Sequence, residues 1–183
     1  MIKVFIGGSR KLGRLNDHIR QRLDNIVQKK YTILVGDANG IDKAVQNYMS
    51  NKSYNNVLVY HVGNRYRNNI GRWETRQVEE PGKVKDFTYY ATKDLQMIKD
   101  TDYGLMIWDL ESKGTLNNII NLLRLNKTVV VYVSKLKEFY NLSSIEDLEK
   151  FLNRFEDNSL KQLAKTLGLD KECSRKQEEL KFT

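Results

Sequence analysis

Three times in this chain a short apolar, β-branched run ends in a loop of small residues and then gives way to helical spacing. The runs cover 2–6, 32–35 and 105–108, and the loops are Gly7-Gly8-Ser9-Arg10, Gly36-Asp37-Ala38-Asn39-Gly40, and Asp109 through Ser112-Lys113-Gly114-Thr115. Repetition of strand, small-residue loop and helix is the signature of an α/β domain with a parallel sheet. Such sheets bind ligands beyond the carboxyl ends of their strands, where small residues let backbone N–H groups approach a phosphate at a helix N-terminus.

Extended along the chain, the pattern predicts five strands over 2–7, 31–35, 57–62, 103–108 and 128–133. Helices are expected over 15–28, 41–49, 91–99 and 116–125, with apolar residues such as Leu15, Ile19 and Leu23 on one face. Asn16 or Asp17 is placed to cap the first helix and Asn126 to end the fourth in a left-handed conformation. Right-handed crossovers then give a doubly wound parallel five-stranded sheet in the order 3-2-1-4-5, with the winding reversing between the first and fourth strands. Periodicity fails from 63 to 90, which reads as a long polar loop. Two amphipathic segments, 144–155 and 159–167, read as helices added after the sheet. The expected organisation is a domain over 1–134 and a helical C-terminal extension over 135–183.

Charge narrows the partner. The net charge is +8, yet residues 135–183 hold ten basic and ten acidic groups, so the excess lies in residues 1–134. Residues 1–30 carry eight basic against two acidic groups, and 61–93 carry seven against four. Positive charge beside glycine loops suits a phosphate-bearing ligand or a nucleic-acid backbone, although it also suits a merely solvated surface. A single cysteine, Cys173, leaves no intramolecular disulfide, and no apolar stretch approaches the roughly 20 residues that cross a bilayer, so no membrane partner and a cytoplasmic location are expected. His18 and His61 stand apart from any Cys/His/carboxylate cluster, and there is no Gly-x-x-x-x-Gly-Lys-Ser/Thr run; neither a metal nor a cofactor is expected.

Converging loops supply the candidate site. Gly7 and Gly8 permit close backbone approach, Ser9 offers a hydroxyl and Arg10 a planar fork for phosphate or carboxylate. Gly36, Asp37, Gly40 and Asp42 come from the second loop, where either aspartate could equally cap the following helix. Asp109 ends an apolar strand, where a carboxylate without a partner would be costly to bury. Ser112, Gly114, Thr115 and Asn118 follow it. The 63–90 segment adds Arg65, Tyr66, Arg67, Arg72, Trp73, Glu74 and Arg76, which read either as a base-stacking, phosphate-holding loop or as a flap with one Trp tucked against the body. Glu74 is the candidate general base or nucleophile of that segment.

Over residues 1–134 the three loops resemble those of the SLOG superfamily, the Rossmann-like group that contains the Lonely Guy-type nucleotide hydrolases, the DNA-processing protein A family and the YspA-type proteins. Val4 to Arg10 is similar to the group's first strand and glycine turn, and Gly36 to Asp42 to its Gly-Gly-Ala-x-Gly-x-Asp segment. Thr101-Asp102 to Asp109, with Ser112-Lys113-Gly114-Thr115, resembles the element that closes its site. The nucleoside 2-deoxyribosyltransferases share a related layout. The resemblance implies a site for nucleotides or nucleotide-like signals, with N-glycosidic cleavage in some branches and ligand sensing or single-stranded DNA binding in others. The hydrolases carry Pro-Gly-Gly-x-Gly-Thr and then x-x-Glu; here Asp109 to Lys113 replaces the first part and Asn118 stands at the Glu. An amide can hydrogen-bond a ribose but cannot act as a carboxylate base.

The expectation is therefore a protein that binds a nucleotide-derived small molecule, with Asp109 on ribose hydroxyls. Asp109 or Glu74 would stabilise oxocarbenium-like charge if an N-glycosidic bond is cleaved or transferred. The alternatives are a nucleic-acid-binding module and a non-catalytic interaction protein whose added helices mediate self-association as a homo-oligomer.

Overall fold

The computed structural model describes residues 1–169 except 81, 83, 85, 156 and 157; Cys173 and the end of the extension lie outside the described residues. In chain order the elements are β1 (Lys3–Gly8), α1 (Asp17–Gln28), β2 (Thr32–Gly36), α2 (Ile41–Asn51), β3 (Val57–Val62), β4 (Glu74–Val78), α3 (Phe87–Asp100), β5 (Tyr103–Trp108), α4 (Lys113–Arg124), β6 (Val129–Val133), β7 (Glu138–Leu142), α5 (Ile145–Leu152) and α6 (Asn158–Thr166). They form an open, Rossmann-like α/β fold around one sheet.

That sheet has seven strands, not five, in the order β4-β3-β2-β1-β5-β6-β7. The five expected strands are its interior, in the expected relative order, and all pair in parallel. Each edge gains one strand. β4 pairs in parallel with β3 from within the segment that reads as loop, and β7 runs antiparallel to β6. β7 puts residues 138–142 into the sheet, so the extension expected to be helical begins as a strand. Its two helices follow.

Alternation along the strands builds two cores. Phe5, Leu34, Tyr60, Met106 and Trp108 face Met97, Ile119 and Leu123 of α3 and α4, and this core continues through Leu148 and Phe151 of α5 to Leu160 of α6. Val4, Ile6, Ile33, Val35, Leu105 and Ile107 face Leu23 of α1 with Val45 and Met49 of α2. Buried on both faces, the interior strands read as continuous apolar runs, as parallel strands do. The helix caps are local in origin: Asn16 accepts from Ile19 N at the start of α1, and Asn126 takes φ 55° just past α4. Among the described residues no helix is long and apolar enough to cross a membrane.

Candidate functional site

Helices α1 and α2 lie on one face and α4 on the other, so the winding reverses between the neighbours β1 and β5. Their carboxyl ends open a crevice there, the position at which open α/β sheets bind ligands. It encloses about 510 Å³. Gly8 brings the strands close: a Cβ on it would run into the carbonyl oxygen of Ile107 and reach 2.9 Å from Ile41 Cγ1. The next residue, Ser9, donates its N–H to that same Ile107 oxygen at 3.0 Å. Gly40 at φ +81° is the left-handed hinge that fits the second loop beneath the first, where Ile41 N donates to Ser9 O at 3.3 Å.

Asp109 fastens the two central loops. Its Oδ2 accepts from Ser9 Oγ at 2.5 Å, and its Oδ1 accepts from the backbone N–H groups of Glu111 at 3.0 Å and Ser112 at 2.8 Å. Burial alone would raise its pKa, but these donors outweigh burial and hold the carboxyl below the usual aspartate range. Asp109 lines the crevice as expected, yet most of its acceptor capacity is spent inside the protein. Ser112 then caps α4, accepting from Thr115 N at 3.3 Å and from Thr115 Oγ1 at 3.0 Å. This leaves the N–H groups of Lys113 and Gly114 without intrahelical partners, and around Gly114 there is open space. Ser112→Ala is expected to cost about 1 kcal/mol in a denaturant titration, the usual worth of such a cap.

A buried polar wall from α2, α3 and α4 faces that helix end. Asp42 is almost wholly buried and accepts from Ala38 N at 3.2 Å. Its burial, only partly offset by Lys93, raises its pKa to about 6. Lys93, also buried, donates from Nζ to Asp94 Oδ1 at 2.5 Å. Burial would lower the Lys93 pKa, but the charges of Asp94 and Asp42 outweigh it and raise it, which keeps the ammonium charged. Asn118 donates from Nδ2 to Asp94 Oδ2 at 3.0 Å, while its own Oδ1 is buried and has no partner among the described residues.

The structure brings together Gly7, Gly8, Ser9, Arg10, Asp42, Asp109, Ser112, Gly114, Thr115 and Asn118 around the crevice. Gly36, Asp37 and Gly40 do not line it. Gly36 allows close packing behind the wall, since a Cβ there would meet Asp42 Oδ2 and come 2.7 Å from Lys93 Nζ. Asp37 is held by Arg67, whose Nε and backbone N–H each donate to Oδ2 at 3.0 Å and whose Nη2 donates to Oδ1 at 2.6 Å. Burial would raise the Asp37 pKa, and Arg67 instead holds it low.

Glu74 is not in the site. It begins β4 opposite Leu58 near the start of β3, at the amino end of the sheet, and it is exposed. The role expected of it as base or nucleophile is corrected on that ground: side chains at the amino ends of parallel strands do not reach a crevice at the carboxyl ends. Two more candidates from that segment are committed elsewhere. Trp73 is buried and donates Nε1–H to Tyr54 O at 2.9 Å, and Arg76 pairs with Asp100 at 3.0 Å. Arg67 and Arg10 both stack on Tyr90, with guanidinium carbons 5.0 and 4.9 Å from the ring centroid.

Sequence reasoning misses the contribution of α3, namely Tyr90, Lys93 and Asp94, which form the far side of the crevice. A signal was present. Tyr89, Lys93 and Met97 recur at i, i+4, i+8 and are all buried, so a lysine occupies the apolar stripe of an amphipathic helix. No protein-family model matches the chain, and no curated protein matches it.

Proposed function

We propose that this chain binds a nucleotide-derived small molecule in the crevice between the β1 and β5 loops, as the resemblance to the SLOG superfamily implies. The observation that carries the reading is the polarity of the crevice. One end presents the open N-terminus of α4 at Lys113 and Gly114 together with Gly8, Ser9 and Arg10, a setting for phosphate. The other end is a buried wall of carboxylate, ammonium and amide groups suited to the uncharged remainder of such a ligand. A volume of about 510 Å³ falls in the range of small-molecule sites. Cleavage or transfer at an N-glycosidic bond is the chemistry we assign to it, with Asp109 rather than Glu74 as the carboxylate that stabilises oxocarbenium-like charge.

Thermal unfolding with nucleoside monophosphates, ADP-ribose, NAD and cyclic nucleotides tests the reading, with chromatography for released base. A ligand at a hundredfold excess over Kd is expected to stabilise the protein by about 2.7 kcal/mol. Gly114→Asp is the informative variant. Its side chain enters open space and a carboxylate at this helix end favours folding, so the fold persists while the phosphate is repelled. A shift present in the wild type and lost in Gly114→Asp supports the site. No shift with any of these compounds overturns it.

A further inference from the structure

Five carboxylates line the crevice: Asp42, Asp86, Asp94, Asp109 and Glu111. Glu111 is exposed and held by Lys11 and Lys135, and Asp86 is exposed and caps α3 through Oδ1. That leaves Asp109, Asp42 and Asp94 for the sugar of a nucleotide, and their hydrogen bonds separate them. A carboxylate offers about four acceptor positions. Asp109 spends three on Ser9, Glu111 and Ser112. Asp42 is nearly inaccessible and accepts from Ala38 N. Asp94 differs from both. Each of its oxygens accepts one bond from the protein, Oδ1 from Lys93 and Oδ2 from Asn118, and its side chain remains 19% exposed where it lines the crevice. One acceptor position on each oxygen is therefore left for a ligand, enough to accept from two adjacent hydroxyls.

Lys93 and Asn118 fix the direction of those oxygens from opposite helices, α3 and α4. Both are themselves buried, so Asp94 cannot swing away without leaving an ammonium and an amide unpaired. Asn118 Oδ1 adds a further acceptor on the same wall, buried and without a partner among the described residues. A wall that mainly accepts hydrogen bonds selects a donor-rich and uncharged group. A phosphate would be repelled there, and the edge of a nucleobase, with its alternating donors and acceptors, would match it less well than a diol.

Resting on the nucleotide reading above, we propose that Asp94 is the sugar-recognising carboxylate of the crevice, that it takes the cis-diol of a ribose, and that Lys93 and Asn118 are its positioning residues. The site then discriminates ribonucleotides from 2′-deoxyribonucleotides, because loss of one hydroxyl leaves a desolvated acceptor unpaired.

Calorimetric titration of the full chain with AMP, GMP, CMP and UMP and with their 2′-deoxy counterparts tests this. Among the bases that bind, the ribo form is expected to bind at least tenfold more tightly. Asp94→Asn is expected to bring the ratio near one, with circular dichroism verifying the fold. Asn118→Leu, which leaves the Lys93–Asp94 pair in place, is the second variant; it is expected to lower the ratio severalfold while the deoxy affinity stays within twofold. A purely structural role would weaken both sugar forms alike. Equal wild-type affinity for the two sugar forms, or a ratio unchanged in both variants, overturns the assignment of Asp94 and leaves the nucleotide reading standing. No binding by any of the eight monophosphates also overturns it. The nucleotide reading falls only if ADP-ribose, NAD and cyclic nucleotides fail as well.

Discussion

Asp109→Ala is expected to lower stability by about 3 kcal/mol at neutral pH, a fall in Tm on the order of 6 to 12 °C for a chain of this size. The substitution removes one small side chain but strands three donors, Ser9 Oγ and the N–H groups of Glu111 and Ser112. Ser9 is 1% exposed, so water does not readily replace the lost partner. Asp109→Asn keeps an acceptor oxygen for some of these bonds and should lose roughly half as much. The pH dependence has a definite sign. Because the folded carboxyl titrates below its ordinary value of 3.8, its stabilisation is complete above that value and disappears as pH falls through the folded pKa. Wild type and Asp109→Ala should therefore converge in acid when urea unfolding is followed from pH 7 downward. A constant gap down to pH 2 would refute the account.

Asp42→Asn is expected to do the reverse. The folded pKa of Asp42 lies near 6, above its ordinary 3.8, so the native state holds the proton more tightly than the unfolded chain. Stability then falls as pH rises from about 4 to about 6, and above that range the protein carries the full cost of a buried ionised carboxyl, on the order of 3 kcal/mol. Asparagine cannot ionise, and its oxygen can still accept from Ala38 N. The variant's stability relative to wild type should climb through that window and level off above it. Urea unfolding of both proteins at pH 4, 5, 6 and 7.5 measures the difference, and a flat difference would count against a raised Asp42.

The interior of the sheet was legible because five apolar runs of strand length alternate with helical spacing, and two of them, 57–62 and 103–108, begin and end as expected. The edge strands were not, for a physical reason. Glu74-Thr75-Arg76-Gln77-Val78 is exposed or half-buried throughout, and an edge strand with one solvated face needs no apolar run. In the sequence, Glu74 consequently reads as a loop residue free to reach a ligand. α3 begins at Phe87, four residues before the expected start, because Asp86 caps it by accepting from Tyr89 N. That earlier start brings Tyr90 to the crevice. Asp109 was legible as a buried carboxylate in need of partners, but not the fact that Ser9 and two backbone amides would occupy it. Those partners depend on loop geometry that spacing does not encode.

The bond from Ser9 to Asp109 joins residues 100 positions apart. Each half of the chain carries half of the crevice: Gly8, Ser9, Arg10 and Asp42 come from the first, Asp109, Gly114, Thr115 and Asn118 from the second. Neither half has a floor or a mouth of its own. Ligand capture by two co-expressed fragments cut near residue 82 would thus report that β5 has found its place beside β1, and occupancy of the crevice becomes an assay for the assembly of the whole sheet.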